Sequence, residues 1–429
     1  METNENVIQI TENGTVNVKE YRYADVNVPG VIPEGTLPIT ENGTINVSNY
    51  ATARVSVDVE YITINFDLPV FKKSTPTQLS QGRYLFAATT VGNYALFGGG
   101  YYNIPSVDAY DTSLTRTTIS FSVGREREGA TTVGNYALFA GGDTTNAHDA
   151  SSVDVFDTSL ERLTPIALSE GGKYLAGTTL GNYGLLGGGT DRYGSVASRV
   201  DAYDTALTRT TPTALSQARQ YLAATTVGNY ALFGGGETRY SNSSVVDAYD
   251  TSLTRTTPPA LSQARKYLAA TTVGNYALFG GGTGLPAVVD AYDTSLTRTT
   301  PTALSQARQH LAATTVGDYA LFGGGTGPSA VVDAYDTSLT RTTLTALSQA
   351  RMDLVATTVG NYALFGGGYT GSFSNVVDAY KLNSYDIQVF PGSKYNFNNS
   401  GEITSNTWQT ISVTGSLTGY IKIKSAQVN

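Results

Sequence analysis

The sequence of 429 residues contains no cysteine, one tryptophan, two histidines and only 14% charged residues. Without cysteine it forms neither disulfides nor thiolate metal sites, and it carries no sign of the redox state of its compartment. The two histidines, His148 and His310, lie too far apart in sequence to suggest an imidazole metal site. We therefore expect neither a metal nor any other cofactor.

Basic residues are also scarce. There are 27 Lys and Arg against 35 Asp and Glu, which gives a net charge of -8 at pH 7, and no basic run offsets it. Nucleic acid and anionic membranes require a basic surface, so we expect neither as a partner. No apolar stretch approaches the roughly 20 residues of a membrane helix. The polar first residues do not resemble a secretory signal, so we expect export only by lysis or within a particle.

Glycine, by contrast, is abundant and periodic. The segment Val-Gly-Asn-Tyr-Ala-Leu-Phe-Gly-Gly-Gly at residues 91–100 recurs six times with variations. Its first glycine returns every 42 to 47 residues, at Gly92, Gly134, Gly181, Gly228, Gly274, Gly317 and Gly360. Four-stranded propeller blades repeat every 40 to 50 residues or so, about this interval. The sequence therefore predicts an all-β fold in which residues 67–381 form a seven-bladed β-propeller.

The fourth copy shows how one blade is built. Residues 219–227, 229–236, 245–250 and 253–257 each read as a segment with one short strand. The first contains small Ala and Thr residues, which suit the crowded innermost position. The second carries Tyr, Leu and Phe, which fill the wider space between blades. Side-chain size therefore grows outward from the predicted axis.

The seventh copy departs from the repeat pattern at Lys381 and so lacks an outer strand. Residues 70–76 align with residues 253–258, the outer strand of the fourth copy. We expect a strand at about residues 69–76 to complete the last blade, because this closes the ring and removes two exposed sheet edges. Residues 385–390 are an alternative outer strand.

The Gly-Gly that ends one strand and the Val-x-x-Tyr-Asp of the next resemble the kelch-type β-propeller over about 315 residues. Kelch repeats usually carry a tryptophan on the outer strand, and this ring has none. Leucines lie near that place, at Leu114, Leu160, Leu207, Leu253, Leu296 and Leu339. Galactose oxidase, a kelch relative, uses copper with a cysteine-linked tyrosine and histidines. That chemistry does not carry over to a chain without cysteine.

Two related segments precede the ring, within residues 1–66. Ile-Thr-Glu-Asn-Gly-Thr begins at Ile10 and again at Ile39, and each copy predicts a hairpin with an Asn-Gly turn. The pattern resembles small β repeats in tail and baseplate proteins of phages that infect Gram-positive bacteria. This resemblance implies a virion attachment module, and a plain β spacer is the alternative. Residues 382–429 predict a short β segment packed against the ring or these repeats, with Trp408 in its core.

Candidate catalytic groups are few. The aspartate pairs, such as Asp247 and Asp250 in the fourth copy, recur in almost every blade at a predicted turn. Six copies are not needed for a catalytic dyad, so we interpret them as turn residues, and we expect no enzyme activity. Glu128 replaces a leucine that is usual in other copies. It either lines a polar site at one end of the axial channel or begins a locally solvated strand.

The repeats differ from one another mainly in the loop after the glycines. All seven loops leave the same strand end, so they emerge on one face, where loops on a rigid scaffold usually build recognition. Aromatic side chains there suit sugar rings, and polar ones suit hydroxyls. The candidate ligand-binding residues are Tyr101, Tyr102, Asn103, Asp191, Arg192, Tyr193, Arg239, Tyr240, Tyr369 and Phe373.

These observations predict a non-enzymatic virion protein, assembled in the host cytoplasm and carried on the particle. Residues 1–66 would bind other virion proteins, and the propeller would bind a host surface glycan or protein. Many copies per particle would multiply a weak affinity. A decoration protein that binds only capsid or tail subunits is the second hypothesis, and an enzyme acting on polysaccharide is the third. Whether the chain is a homo-oligomer is left open.

Overall fold

The structure is a computed structural model. It describes residues 70–144, 151–284, 287–327 and 329–384, together with the backbone of the strands named below on either side. His148 and Trp408 lie outside the described residues.

Seven four-stranded antiparallel sheets form a closed ring of blades, so the predicted all-β, seven-bladed β-propeller is confirmed. In each blade the first strand lies nearest the axis, and in the first six blades the order along the sheet follows the order along the chain. The strands are Ala87–Val91, Tyr94–Gly98, Ser106–Tyr110 and Arg116–Ser120; Gly129–Val133, Tyr136–Ala140, Val153–Asp157 and Arg162–Leu163; Ala176–Leu180, Tyr183–Gly187, Val200–Asp204 and Arg209–Thr210; Ala223–Val227, Tyr230–Gly234, Val246–Asp250 and Arg255–Thr256; Ala269–Val273, Tyr276–Gly280, Val289–Asp293 and Arg298–Thr299; Ala312–Val316, Tyr319–Gly323, Val332–Asp336 and Arg341–Thr343; and Val355–Val359, Tyr362–Gly366 and Val377–Leu382.

The outer strand of the seventh blade is Phe71–Ser74, from the N-terminal side of the ring. Its Lys73 Nζ lies 3.0 Å from Asp378 Oδ1. In the fourth blade Arg255 Nη1 makes the same contact with Asp247 Oδ1 at 2.9 Å. The strand therefore supplies both the backbone edge and the cation that the repeat requires. The alternative outer strand lies in Ser384–Val389, which pairs with Gln409–Thr414 instead.

The glycine that ends the second strand in six of the seven blades makes room for an aromatic ring of the next blade. A Cβ placed on Gly234 would lie 2.6 Å from Cε1 of Phe279, and one on Gly366 would lie 2.8 Å from Phe97 across the ring closure. Phe279 is fully buried among leucine, valine and alanine side chains of both blades. The repeated glycine is thus a packing requirement, because any side chain would displace the aromatic ring that fills the wedge between sheets.

A belt of threonine hydroxyls joins the seven inner strands around the axis. The second Thr of each strand donates to the backbone carbonyl of its counterpart in the preceding blade, for example Thr132 to Thr90 at 2.6 Å and Thr179 to Thr132 at 2.7 Å. Thr90 closes the circle by donating to the carbonyl of Thr358 at 2.9 Å. The full set is Thr90, Thr132, Thr179, Thr226, Thr272, Thr315 and Thr358.

The first Thr of the inner strand allows a matched test of this belt. The Thr225 hydroxyl bonds that of Thr272 in the next blade at 2.9 Å, whereas the buried Thr131 hydroxyl has no hydrogen-bond partner. We expect Thr225→Val to lower the free energy of unfolding of the propeller by about 1 kcal/mol. Thr131→Val should leave it unchanged or raise it. Urea unfolding followed by near-ultraviolet circular dichroism measures both, and equal losses would show that the bond from Thr225 to Thr272 of the belt contributes nothing to stability.

A second compact unit combines Met1–Lys72 with Leu382–Asn429. Its strands, besides Ser384–Val389 and Gln409–Thr414, are Gly14–Val18, Ala24–Asn27, Leu37–Pro38, Gly43–Val47, Arg54–Val57, Tyr61–Leu68, Lys394–Phe397, Asn399–Glu402 and Leu417–Lys424. The strands after the two Asn-Gly pairs bond each other, Gly14–Val18 with Gly43–Val47. The residues before Asn-Gly lie outside the described part, so the hairpins stay predictions. Leu417–Lys424 pairs with Tyr61–Leu68, which joins the C-terminal segment to the N-terminal one.

Candidate functional site

The variable loops and the axial opening lie on the same face of the propeller. In every blade the inner strand begins at the end where the second strand stops, so the segments before one and after the other are neighbours. Their backbones are bonded: Tyr101 N donates to the Tyr84 carbonyl at 2.9 Å, and Tyr369 N to the Met352 carbonyl at 2.7 Å. We call this side the loop face.

Five aromatic side chains of blades seven and one meet on the loop face and form what we call the loop cluster: Tyr84, Tyr101, Tyr102, Tyr369 and Phe373. The ring centroid of Tyr84 lies 5.1 Å from that of Tyr101, 5.7 Å from Tyr369 and 5.0 Å from Phe373. Tyr102 lies 4.5 Å from Tyr101 and is 74% exposed, and the other four side chains are partly exposed. Rings from three separate segments therefore present one continuous aromatic surface.

The loop that carries this cluster is held in a strained conformation. Tyr102 and Asn103 both have φ in the left-handed region, at 72° and 54°. Such φ values are costly for residues other than glycine and persist only where surrounding contacts enforce them. Here Tyr102 N donates to Glu126 Oε2 at 3.0 Å, while the Asn103 carbonyl packs against Gly124. Asn103 Oδ1 is buried without a hydrogen-bond partner, so this oxygen faces no solvent.

The remaining predicted residues lie across the ring, on the loops of blades three and four. Asp191 Oδ1 accepts hydrogen bonds from Tyr193 N at 2.8 Å and Ser195 N at 2.9 Å, so this carboxylate orders its own loop. Arg239 lies over the Tyr240 ring at 5.6 Å. Arg192 is exposed, as are Tyr193 and Tyr240, at 82% and 87%. The structure thus divides the predicted site into two separate groups.

Tyr84 belongs to the loop cluster but is absent from the predicted residues. It lies in the connection before the inner strand, where other blades have Glu126, Gln220, Lys266 or Met352. The residue type at this position varies between blades, as it does in the loops after the glycines. This variation is the sequence feature that indicates a place for Tyr84 on the variable face.

Seven residues with left-handed φ surround the axial opening, one from each blade, and we call them the axial ring. They are Leu85, Arg127, Tyr174, Tyr221, Tyr267, His310 and Asp353, with φ between 52° and 61°. In five of them the backbone N–H bonds the carbonyl of the preceding member, as Arg127 N to the Leu85 carbonyl at 2.9 Å and His310 N to the Tyr267 carbonyl at 3.0 Å. These interblade bonds hold seven varied side chains at one opening.

The axial ring encloses a cavity of about 240 Å³, which we call the axial cavity. Leucines such as Leu222 and Leu268 line it, and the rings of Tyr174, Tyr221 and Tyr267 follow one another with centroids 4.5 Å apart. The His310 ring stacks on Tyr267 at 4.0 Å, and its Nδ1 lies 2.6 Å from Oδ1 of Asp353. Burial raises the pKa of the Tyr174 and Tyr267 hydroxyls, which keep their protons.

Glu128 lines the axial cavity and is buried, so the alternative of a locally solvated strand is wrong. Its carboxylate lies against Gly99 of the first blade, at the place where Leu222 packs against Gly188 between blades three and four. Both carboxylate oxygens are shielded from solvent. Burial raises the pKa of Glu128 to about 8, against the opposing effects of its own backbone N–H and of the buried Arg125 guanidinium. The carboxyl is therefore largely protonated at pH 7.

The aspartate pairs have two different roles, which corrects the turn interpretation for the first member of each. Asp250 accepts bonds from backbone N–H groups at the predicted turn, but Asp247 is buried, and its Oδ2 is 2.5 Å from Nη2 of Arg219. Such buried pairs join the connection before the inner strand to the third strand in six blades: Arg83–Asp108, Arg125–Asp154, Arg219–Asp247, Arg265–Asp290, Arg308–Asp333 and Arg351–Asp378.

Within the part of the chain that the structure describes, no three His, Asp or Glu side chains are grouped to hold a metal ion. The same residues include no helix long and apolar enough to cross a membrane. No protein-family model matches the chain, and no curated protein matches it.

Proposed function

We propose that this chain is a non-enzymatic structural protein of a phage particle whose propeller binds a glycan or protein on the host surface. The observation that carries the binding proposal is the loop cluster, in which aromatic rings from blades seven and one converge on the face that also bears the variable loops. A rigid ring presenting variable aromatic tips is typical of a recognition surface.

A glycan is the ligand that this surface fits best. Tyr102 exposes most of its ring beside Tyr101 and Phe373, and aromatic faces pack on the apolar faces of sugar rings while tyrosine hydroxyls bond their polar edges. The hydrogen bond from Tyr102 N to Glu126 helps to hold the backbone that carries these rings before binding. A ligand then meets a surface whose backbone is already ordered, which lowers the entropy cost of binding.

Assignment to a phage particle, with a kelch-type ring, rests on the sequence resemblances. The tandem repeats beginning at Ile10 and Ile39 are the attachment candidates for other virion proteins. A particle with many copies strengthens weak single-site binding through effective concentration, so each propeller needs only modest affinity.

The test is binding of the fluorescently labelled full-length chain to cells of candidate Gram-positive hosts. We expect Tyr102→Ala and Phe373→Ala each to weaken binding at least ~10-fold, which corresponds to about 1.4 kcal/mol. Ile166→Ala, at a 56% exposed position outside the cluster, is the control and should bind like the unaltered chain.

Three outcomes would each overturn a part of this proposal. Binding only to virion particles would support the decoration protein in place of receptor binding. Release of soluble sugar from cell-wall polysaccharide, abolished by Glu128→Gln, would support an enzyme. If all three variants bound host cells as strongly as the unaltered chain, the loop cluster would not be the host-binding surface.

A further inference from the structure

The axial cavity is separate from the loop cluster, because none of the five rings of that cluster lines it. Its volume of about 240 Å³ is below the roughly 300–1,000 Å³ of sites for drug-sized ligands, so it suits a molecule near the size of one sugar ring. A second cavity of about 320 Å³, lined by the Ala and Thr residues of the inner strands, shares no lining residue with it. A ligand of the axial cavity would therefore contact the axial ring and the residues that directly follow it.

Four aromatic rings from consecutive blades line one side of this cavity, and we call them the aromatic arc: Tyr174, Tyr221, Tyr267 and His310. Neighbouring ring centroids lie 4.5 Å apart between the tyrosines and 4.0 Å apart between Tyr267 and His310. The leucine that follows each of Tyr221, Tyr267 and His310 adds an apolar wall. Binding sites for small molecules usually combine such apolar and aromatic walls with a few polar groups.

The polar groups of the cavity include both donors and acceptors. The Tyr221 hydroxyl bonds those of Tyr174 and Tyr267, so two of the three hydroxyl protons are used within this chain and one remains to donate. Asp353 uses Oδ1 to bond the His310 ring, and its side chain is 18% exposed. No described residue bonds its Oδ2, which can accept a hydroxyl proton.

The cations near this opening are already paired. Arg127 Nη1 lies 2.8 Å from Oδ2 of Asp143, and Lys266 Nζ, over two of the tyrosine rings, lies 2.5 Å from Oε1 of Glu237. Asp353, by contrast, has no Lys or Arg partner among the described residues. The cavity therefore offers an acidic ligand no unpaired cation and places a carboxylate beside it.

We propose that the axial cavity binds one neutral sugar ring, which packs on the aromatic arc and is hydrogen-bonded by Asp353 and the tyrosine hydroxyls. Each sugar hydroxyl both donates and accepts, as this set of groups requires. An acidic sugar of the same size is repelled by the Asp353 carboxylate, so charge selects against it. This site is independent of host recognition by the loop cluster.

Saturation-transfer NMR on the full-length chain tests this inference. D-Glucose, D-galactose and D-mannose are the probes, and D-glucuronate and D-galacturonate are the acidic controls. We expect at least one hexose to bind with a dissociation constant on the order of 1 mM, because so small a ligand supports only weak affinity. Both uronates should bind at least ~10-fold more weakly than that hexose.

Two substitutions that the local backbone accepts locate the site. Tyr221→Leu removes one ring and its hydroxyl, and Leu85 fills the same position of blade one with the same φ of 55°. Asp353→Asn removes the charge and one acceptor oxygen, and asparagine tolerates the left-handed φ of 52° found there. We expect each variant to weaken hexose binding ~10-fold.

Ile166→Ala, at an exposed position outside the cavity, should bind the hexose like the unaltered chain. Near-ultraviolet circular dichroism checks that all three variants are folded. Absence of binding by all three hexoses, uronate binding as tight as hexose binding, or unaltered binding by both Tyr221→Leu and Asp353→Asn would overturn the proposal.

Discussion

Replacing Asp290 by alanine should cost the propeller about 3–5 kcal/mol of its free energy of unfolding. Asp290 is fully buried, and its Oδ2 is 2.6 Å from Nη2 of Arg265, which is also buried. It further accepts hydrogen bonds from the Ser262 backbone and hydroxyl and from Arg298. The variant leaves the Arg265 guanidinium in the interior without its counter-charge, and this desolvation cost dominates the loss.

Asp293, three residues further along the same strand, is the matched control. Its side chain is partly exposed, and its carboxylate accepts bonds from Ser295 N and Thr297 N at 2.9 Å each. These bonds order the turn to the outer strand, so Asp293→Ala should cost only about 1 kcal/mol. Urea unfolding of the two full-length variants, followed by the near-ultraviolet signal of buried tyrosines, gives the comparison. Equal losses would show that the Arg265 pair contributes nothing beyond a turn bond.

The repeat predicted the blades because each of its features has one physical meaning in a propeller. Small inner residues, aromatic second strands and a closing glycine fit only a ring of wedges, and the structure reproduces the four predicted strands of the fourth copy. The N-terminal outer strand followed from the same logic, since a missing strand must be supplied from elsewhere. The periodic packing of the blades could therefore be predicted from the sequence.

The buried ion pairs between side chains could not be predicted from the sequence in the same way. Arg219 and Asp247 are 28 residues apart, and neither residue type indicates that its side chain is buried. The third blade shows the difficulty most clearly, because Gly172 replaces the arginine of the connection and the Arg199 guanidinium occupies the vacated space from a different loop. Such compensation depends on where two loops meet in space, which the order of residues does not state.

Only part of the arrangement of loops at the candidate site could be predicted from the sequence. That the loops share a face follows from strand order alone. The strand order does not show which loops contact one another. Tyr101 and Phe373 become neighbours because blades one and seven close the ring, whereas Tyr193 and Tyr240 remain on its far side. The axial ring adds side chains whose left-handed backbone has no sequence signature, since the same position is filled by Leu85, Tyr221 and Asp353 in turn.

Replacing Glu128 by leucine should stabilise the propeller, by an amount that grows with pH. The pKa of Glu128 is about 8 in the folded protein against an ordinary 4.5. The folded state therefore holds a proton that the unfolded chain releases, so the stability of the unaltered protein falls as pH rises from 4.5 to about 8 and is lowest above that range. This shift corresponds to about 5 kcal/mol, which the leucine variant regains in full only above pH 8 or so.

Two further variants separate charge from packing in this prediction. Glu128→Gln should remove the decline between pH 4.5 and about 8 without the gain from leucine packing, which matches Leu222 in the fourth blade. Glu161→Leu, at an exposed carboxylate, should leave the pH profile unchanged. Urea midpoints across this pH range measure all three. A leucine variant with the same pH slope as the unaltered chain would mean that Glu128 is not the buried titrating group. The predicted slope would mean that the ring retains a buried acid between blades one and two at a cost to its own stability.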